Sequence, residues 1–435
     1  MKKDLLKYSI KLSKIFRSIT GKGTKEVLKL IKEDIPSLKI KSVKSGFKAY
    51  DWTVPLEWNV KEAFILDENK NKIINFKNNY LHLVSYSIPI NKTMKLKELN
   101  KNLFSLPKMP NAIPYVTSYY KKMWGFCLTH KQRMKLKNQN YKIKIDTSLK
   151  KGDLFYGELL IKGKSKKEIF ISTYICHPTM ANNENSGPAV TKFLCQWIKN
   201  LKNRYYSYRI IFVPETIGSI VYLKKNLIKM KKNIIAGFNI NCVGDNRSYS
   251  FLPSRNGDTI SDEVAKHVLK WTDKKFKKYS WNERGSDERQ YCSPGVDLPV
   301  VSLMRSKFGE YPEYHTSLDN FEKVVSSEGL LGGYNINKKA IEILENNHYP
   351  ISTNLCEPKL DKYNLYGPQK ESKYKNQHKY NSSLTDPLYN LLSHCDGKTS
   401  LMEIADKILV PVWELYPIIK NLKDLKLIKI KNYWS

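Results

Sequence analysis

The sequence predicts an α/β fold built on a mostly parallel sheet with helices on both faces. Apolar runs typical of buried strands alternate with helical segments from about residue 135 to residue 350. Polar side chains follow four of these runs, at the strand ends where this class of sheet binds its ligands. The length of 435 residues exceeds one ordinary core, so we expect two or three domains.

The first 134 residues divide into two patterns. Residues 1–45 predict amphipathic helices, because Leu5, Leu12 and Ile15 recur near one helical face. Residues 46–134 are rich in aromatic and β-branched residues and contain turn signals at 67–71, which predicts a β-rich segment. Beyond it, we expect residues 141–145 to form a strand pair with residues 157–161.

The most informative loop lies between the predicted strand at 169–175 and the predicted helix at 188–197. It reads CHPTMANNENSG from Cys176 to Gly187 and places a histidine, several amides and a carboxylate at a strand end. A helix N-terminus there also favours anionic groups. We interpret Cys176 as a buried structural residue, because no second histidine lies in the motif to activate it.

Three further predicted strands end in polar groups. The runs at 208–213 and 234–243 lead to Glu215 and Asp245, and the run at 299–304 leads after a loop to His315. Together with His177 they offer imidazole and carboxylate ligands, which are the usual protein partners of zinc. The pattern therefore predicts a zinc site at the strand ends.

With these motifs the chain resembles the zinc aminopeptidases, a group that includes bacterial leucyl aminopeptidases and glutaminyl cyclases. It resembles more closely the aminopeptidase-like proteins encoded among bacterial polysaccharide-biosynthesis genes. The resemblance covers most of the chain and rests on YDWTVPLEW at 50–58, the loop at 176–187, PETIGS at 214–219, RGSDERQY at 284–291 and YPEYHTS at 311–317.

The resemblance implies a zinc-exopeptidase-like mixed sheet with helices on both faces. Residues 1–45 and 135–350 would form this α/β domain, and residues 46–134 would be an inserted β-rich domain that partly covers the site. Residues 351–435 would form a linker and a winged-helix-like domain. The polar stretch at 361–381 predicts the linker, and helical runs near 386–392, 401–409 and 412–422 precede an apolar terminal segment.

The resemblance also implies site residues, with two departures. His177 and His315 match metal-binding histidines, while Asn183 stands where the family has a metal-bridging aspartate. Asn241 stands at a second aspartate position, with Asp245 close behind it. A neutral amide does not offset the repulsion between two zinc ions, so we expect one zinc or none.

The remaining ligand and catalytic roles follow from the same resemblance. Glu215 matches either the general base or a metal ligand, and we assign it as the catalytic base. Glu184 is the candidate replacement carboxylate beside Asn183. We expect the substrate to contact a set of polar and aromatic residues, although these could also be solvated or paired at the surface: Asp287, Arg289, Tyr291, Arg305 and Tyr314.

The sequence is compatible with two functions. The first is a zinc-dependent amide hydrolase that acts on a short peptide or an acylated amino sugar, in surface-polysaccharide biosynthesis. The second is a catalytically decayed binding or scaffold protein. The two asparagines favour the second, and the retained His177, Glu215 and His315 favour the first.

Composition sets the remaining expectations. The net charge of +34 comes from 75 Lys and Arg against 41 Asp and Glu, and it fits either AT-rich coding or a polyanionic partner. The 7 cysteines show no Cys-x-x-Cys pair, and no apolar run is long enough to span a membrane, so we expect a cytoplasmic protein. Because the predicted helix at 412–422 has few base-reading side chains, we expect a protein-interaction or dimerisation module there, not a DNA reader.

Overall fold

The computed structural model describes residues 1–365 and 387–432. The chain forms two compact units. The first contains residues 1–263 and 275–337, and the second contains residues 264–274 and the chain from residue 338 onward. Within the described residues, no helix is long and apolar enough to cross a membrane.

The helices and strands are numbered here in chain order. The helices are α1 (Lys2–Ser13), α2 (Lys22–Asp34), α3 (Leu96–Leu99), α4 (His130–Met134), α5 (Ser186–Asn200), α6 (Ile217–Asn233), α7 (Ile260–Lys270), α8 (Glu288–Tyr291), α9 (Ser327–Asn346), α10 (Pro387–Ser393), α11 (Leu401–Lys407) and α12 (Val412–Asp424). The strands are β1 (Lys39–Lys44), β2 (Lys48–Ala49), β3 (Trp52–Thr53), β4 (Glu57–Leu66), β5 (Lys72–Asn75), β6 (Ile90–Lys95), β7 (Leu103–Phe104), β8 (Phe126–Cys127), β9 (Asn140–Lys150), β10 (Asp153–Ile161), β11 (Glu168–Tyr174), β12 (Ser207–Val213), β13 (Ile234–Asn239), β14 (Ser250–Leu252), β15 (Lys277–Lys278), β16 (Val300–Met304), β17 (His348–Ser352) and β18 (Ile428–Asn432).

An 8-stranded sheet in the first unit follows the order β1-β10-β12-β11-β13-β16-β14-β15. Strands β12, β11, β13 and β16 pair in parallel, while β1, β10 and β14 join by antiparallel pairs. The predicted mixed α/β class is therefore confirmed. All residues of β11 are buried, which explains why the sequence shows a continuous apolar run there.

The parallel strands bring four chain segments to one edge of the sheet. Strands β11, β12, β13 and β16 run in the same direction, so the loops that follow them leave from the same side. The predicted strand at 234–243 ends earlier than expected, at Asn239. Residues 240–243 are buried beyond the strand and lead toward the site loops.

A second sheet of 4 antiparallel strands follows the order β5-β4-β9-β6. Its longest strand, β9, pairs with β4 and β6, so the predicted pairing of residues 141–145 with residues 157–161 is wrong. Strand β10 pairs instead with β1 and β12. The alternation of apolar and polar residues identified both strands, but the partner of each depends on long-range contacts that the local pattern does not encode.

The second unit contains α10, α11 and α12, with β17 before them and β18 after them in the chain, and these two strands pair antiparallel. Ser400 caps α11 through a capping box with Glu403, and the apolar faces of these helices bury Leu391, Leu401 and Leu415. The helices predicted near 386–392, 401–409 and 412–422 are thus present. The predicted linker at 361–381 lies mostly outside the described residues.

Candidate metal and catalytic site

The site begins where β11 ends and α5 starts. Residues 181–185 form a single π-helical turn before α5, a feature often found at functional sites. Gly187, in the first turn of α5, lies so close to the residue after β13 that an added Cβ would sit 2.5 Å from the Ile240 carbonyl oxygen. The sequence Ser-Gly therefore lets the helix start approach the end of β13.

His177 is the centre of the polar cluster. Its Nδ1 lies 2.8 Å from Glu184 Oε2, and its Nε2 lies 3.4 Å from Glu215 Oε2. The side chain of Glu184 is fully buried and accepts a hydrogen bond from Arg17 Nε at 3.2 Å. A carboxylate on one ring nitrogen fixes the orientation of the imidazole and directs the other nitrogen toward the site.

Glu215 follows β12 and is held from two sides. Ser286 Oγ donates to its Oε1 at 2.8 Å, and its backbone N–H donates to Cys176 Sγ at 3.2 Å. Burial raises the pKa of Glu215, although the nearby His177 and the Ser286 hydroxyl oppose that shift. The next residue, Thr216, adopts a left-handed φ of 63°, which is uncommon for a β-branched residue and indicates backbone strain.

His315 lies opposite His177, with their ring centroids 5.7 Å apart. Tyr314 stacks on His315 at 3.9 Å, and Tyr115 packs edge-on against both histidine rings at 5.2 Å. The backbone of His315 is left-handed, with φ of 54°. Burial and the charge on His177 lower the pKa of His315 to about 3, which keeps it a neutral, metal-competent imidazole.

Several buried polar atoms at the site have no hydrogen-bond partner among the described residues. They include Nε2 of His315 and Oδ1 of Asn183. The amide nitrogen of Asn183 donates to the Tyr174 hydroxyl at 2.5 Å, and its backbone N–H donates to Asp319 at 2.9 Å. Buried polar atoms are almost always paired, so both atoms are candidates to contact a bound group.

Asp245 is engaged elsewhere. Its two oxygens accept hydrogen bonds from the Ser306 backbone and hydroxyl at 2.8 Å, from the Arg247 backbone at 2.8 Å and from the Asn182 amide at 3.1 Å. These donors occupy both oxygens, so Asp245 joins the loops after β11, β13 and β16. Glu184 is occupied in a similar way, by Arg17 and by His177.

The predicted substrate residues take different positions. Arg289 lines the cavity at the site and donates to Thr216 Oγ1 at 2.8 Å, whereas Asp287 is buried and accepts from the Thr216 N–H at 2.7 Å. Burial, together with the charge on Glu215, raises the pKa of Asp287 to about 8.

Of the other three predicted contacts, Tyr291 and Arg305 are not among the residues that line the cavity. Tyr291 is fully buried, with its hydroxyl 2.7 Å from Ser172 Oγ. The guanidinium of Arg305 lies 3.7 Å from the Tyr249 ring centroid. Tyr314, by contrast, contacts the site directly through its stacking on His315.

A cavity of about 340 Å³ opens above these groups. Besides the site residues it is lined by side chains that the sequence did not single out for this role: Ile19, Trp52, Tyr115, Thr117, Tyr119 and Tyr120. Tyr115 reaches the site because its backbone N–H donates to the His315 carbonyl at 2.8 Å. No sequence periodicity indicates this contact, since 200 positions separate the two residues.

The cavity wall carries side chains of the types that bind zinc in proteins, namely the imidazoles of His177 and His315 and the carboxylate of Glu215. The donor atoms of these three do not form a group within 4.8 Å of one another. Among the described residues, the three whose donor atoms lie within 4.8 Å of one another are Cys176, His177 and Glu184. We do not count Glu184 as a metal ligand, because Arg17 already neutralises its carboxylate. Glu184 instead orients the imidazole of His177.

Comparisons with known proteins agree with this fold. The sequence profile of the family described as Domain of unknown function (DUF4910) matches residues 7–347, and the profile described as winged helix-turn-helix matches residues 348–430. The second match confirms the predicted C-terminal fold.

Three individual proteins illustrate the relationship. A Clostridium acetobutylicum protein, named for polysaccharide biosynthesis with an aminopeptidase-like domain, is 41% identical over 90% of this chain and 88% of its own length. A crystal structure of a protein from that organism, assigned as a peptidase, is 38% identical, covers 99% of this chain and 96% of its own, and has a TM-score of 0.90. A zinc aminopeptidase from Bacillus subtilis shares the fold at 14% identity and a TM-score of 0.57, over 78% of this chain and 94% of its own.

Proposed function

Because this chain belongs to the family described as Domain of unknown function (DUF4910) and has the fold of zinc aminopeptidases, we propose that it is a zinc-dependent amide hydrolase of the aminopeptidase type. The relative from Clostridium acetobutylicum suggests a role in surface-polysaccharide biosynthesis. A short peptide or an acylated amino sugar would be the substrate.

One observation carries the proposal. Glu215 lies beside His177, with 3.4 Å between Oε2 and Nε2, on the wall of an open cavity that His315 also lines. His177 and His315 would hold the zinc ion, with Asn183 Oδ1 as a further oxygen ligand. Asp245 and Glu184 are not among the ligands we propose, because other side chains occupy their oxygens.

Zinc, Glu215 and Ser286 would each have a separate role in the hydrolysis of the amide. Bound zinc polarises a carbonyl group and lowers the pKa of water. Glu215 takes a proton from water on its Oε2 and later passes it to the leaving amine. Ser286 holds Oε1 and thereby orients the carboxylate. The raised pKa of Glu215 suits this role, since a base is most effective when its pKa approaches the working pH.

A hydrolysis screen tests the proposal. Purified, zinc-supplemented protein would be incubated with a panel of aminoacyl amides and N-acylated amino sugars, and the released amine would be measured. Glu215→Gln is the site variant, and Glu98→Gln, an exposed glutamate in α3, is the matched control. Release by wild type and Glu98→Gln, but not by Glu215→Gln or by chelator-treated protein, supports the proposal. No release from any member of the panel would count against it.

The second candidate is a binding or scaffold protein with a decayed site. The specific observation in its favour is that Arg17 supplies a buried positive charge to Glu184, so the cluster is charge-balanced without a metal ion. Zinc-free protein with unchanged stability, together with no amide hydrolysis, would select this candidate.

In either case we propose that the winged-helix domain mediates protein contacts or dimerisation, which sedimentation of the full chain with and without residues 348–435 would test.

A further inference from the structure

The exposed aromatic residues at the mouth of the site suggest what kind of substrate it receives. Large aromatic side chains are normally buried, yet Tyr50, Trp52 and Tyr120 are 52%, 38% and 55% exposed. Trp52 and Tyr120 contact each other edge to face, with ring centroids 6.0 Å apart. A cluster of exposed aromatic rings beside a cavity is typical of a ligand or interaction surface.

Trp52 lines two cavities. One is the 340 Å³ cavity that contains His177, Glu215 and His315. The other has a volume of about 410 Å³ and is lined by Tyr50, Asp51, Trp52, Ile220, Leu223, Leu227, Gln290, Ser293, Pro294, Gly295 and Val296. Both volumes fall within the range of about 300–1,000 Å³ that is usual for small-molecule sites.

The same elements continue from one cavity to the other. On α6, Ile217 lines the first cavity and Ile220, one turn later, lines the second. On α8, Arg289 lines the first and the next residue, Gln290, lines the second. The two cavities are therefore neighbours, and Trp52 lies on the wall of both.

The hairpin that carries Tyr50 and Trp52 contains a strained backbone position. Strands β2 and β3 form a hairpin whose loop residues are Tyr50 and Asp51. Tyr50 has a left-handed φ of 55°, a conformation that is uncommon for a bulky residue. Strained residues of this kind persist mainly where surrounding structure or function requires them.

The second cavity combines apolar faces with available polar groups. Asp51 and Gln290 line it, and the side chains of both have no hydrogen-bond or ion-pair partner within the part of the chain that the structure describes. A ligand with hydroxyl groups can hydrogen-bond to both side chains, which a purely apolar ligand cannot do. A sugar ring has C–H faces that pack on aromatic rings and hydroxyl groups that hydrogen-bond to carboxylates and amides.

We propose that Tyr50, Asp51 and Trp52, with Gln290 and Ser293, form a carbohydrate-binding subsite next to the catalytic residues. The scissile amide would then belong to an N-acylated amino sugar within a longer saccharide, and not to a free peptide. This inference rests on the proposed function only for its statement about the amide. The binding of a saccharide is an independent claim.

Binding without turnover tests the subsite. Glu215→Gln protein would be applied to an array of oligosaccharides built from neutral hexoses, N-acetylhexosamines and uronic acids, and the best binder would be titrated in solution. In the same background, Trp52→Ala should weaken binding about tenfold or more, because truncating a central aromatic residue typically removes at least that much affinity. Trp52→Phe retains a ring and should stay within about threefold of the parent affinity.

One control variant and one alternative loss variant complete the experiment. Tyr363→Ala removes an aromatic residue that lines neither cavity and should leave the affinity unchanged. If Trp52→Ala lowers the melting temperature, Gln290→Ala replaces it as the loss variant.

Two outcomes would overturn the inference: binding to no member of the array, or an affinity that neither Trp52→Ala nor Gln290→Ala changes. Preferential binding of dipeptide amides that depends on Trp52 would also overturn it in favour of a peptide site. Saccharide binding without amide hydrolysis by wild type would leave the subsite standing and reject the proposed function alone.

Discussion

Arg17 Nε donates a hydrogen bond to Glu184 Oε1 at 3.2 Å, and both side chains are completely buried. The two residues are 167 positions apart, so the contact joins the segment after α1 to the turn before α5. Arg17 also donates to Asn185 Oδ1 at 2.5 Å. The arginine thus supplies a fixed positive charge next to the histidine that we propose as a zinc ligand.

The contact between Arg17 and Glu184 affects how many metal ions the site can hold. Asn183 cannot offset the charge of a second metal ion, and Glu184, which could, is already paired with Arg17. A second divalent ion beside the guanidinium would meet repulsion without a compensating carboxylate. We therefore expect the site to hold one metal ion at most.

The buried pair should be important for stability. We predict that Arg17→Met lowers the free energy of unfolding by about 3–5 kcal/mol, because it leaves a buried carboxylate without its partner. Adding Glu184→Gln should recover part of that loss. The matched control is Lys61→Met, which removes the exposed contact with Asp146 and should cost about 1 kcal/mol or less. Urea titration measures all of these values, and a loss below about 1 kcal/mol for Arg17→Met would show that the pair is not essential.

Glu215→Gln should separate catalysis from metal binding. The change preserves size and removes the basic oxygen, so we predict that hydrolysis falls by about 100- to 10,000-fold while zinc remains bound. The measurement is the rate of amine release together with the zinc content of the same sample. If zinc is lost as well, Glu215 is a ligand and another group accepts the proton. A decrease below about tenfold is incompatible with a general base.

Asp287 should make stability depend on pH. Its pKa is about 8 in the folded chain, against about 3.9 when unfolded. Between these values the folded chain keeps a proton that the unfolded chain releases, so stability falls as the pH rises through this window. The contribution is at most about 1.4 kcal/mol per pH unit.

The corresponding experiment compares wild type with Asp287→Asn in the absence of metal. Asparagine keeps an oxygen that can accept from Thr216 N–H and Ser219 Oγ, so the fold should be preserved. We predict a shallower decrease of the unfolding free energy between pH 5 and pH 8 in the variant, where the pH limits are about those set by the two pKa values. Parallel curves for the two proteins would show that Asp287 does not hold the proton.

The sequence predicted the part of the fold that local patterns encode. The strands β11, β12 and β16 were apparent because each is almost entirely buried and rich in apolar residues. The order of polar residues after them indicated that His177, Glu215 and His315 belong to one edge of the sheet, and all three line the same cavity. The strand partner of β9 was predicted wrongly, because pairing depends on tertiary contacts.

Other features of the site have no local signal. The carboxylate of Asp245 appeared available in the sequence, but residues from three separate loops occupy it. Arg17 lies in an ordinary basic segment, and nothing near it indicates that it is buried. The placement of Tyr115 against both histidines likewise depends on how the chain between β7 and β8 packs on the loop at His315.

The most direct test of a single metal site between His177 and His315 is the zinc content of purified, zinc-supplemented protein after removal of loosely bound metal. We predict about one zinc per chain in wild type, the number that three protein ligands and one open position support. We also predict that His315→Ala loses this zinc and that Asp245→Asn keeps it. Two tightly bound zinc ions per wild-type chain, or unchanged zinc in His315→Ala, would contradict the account.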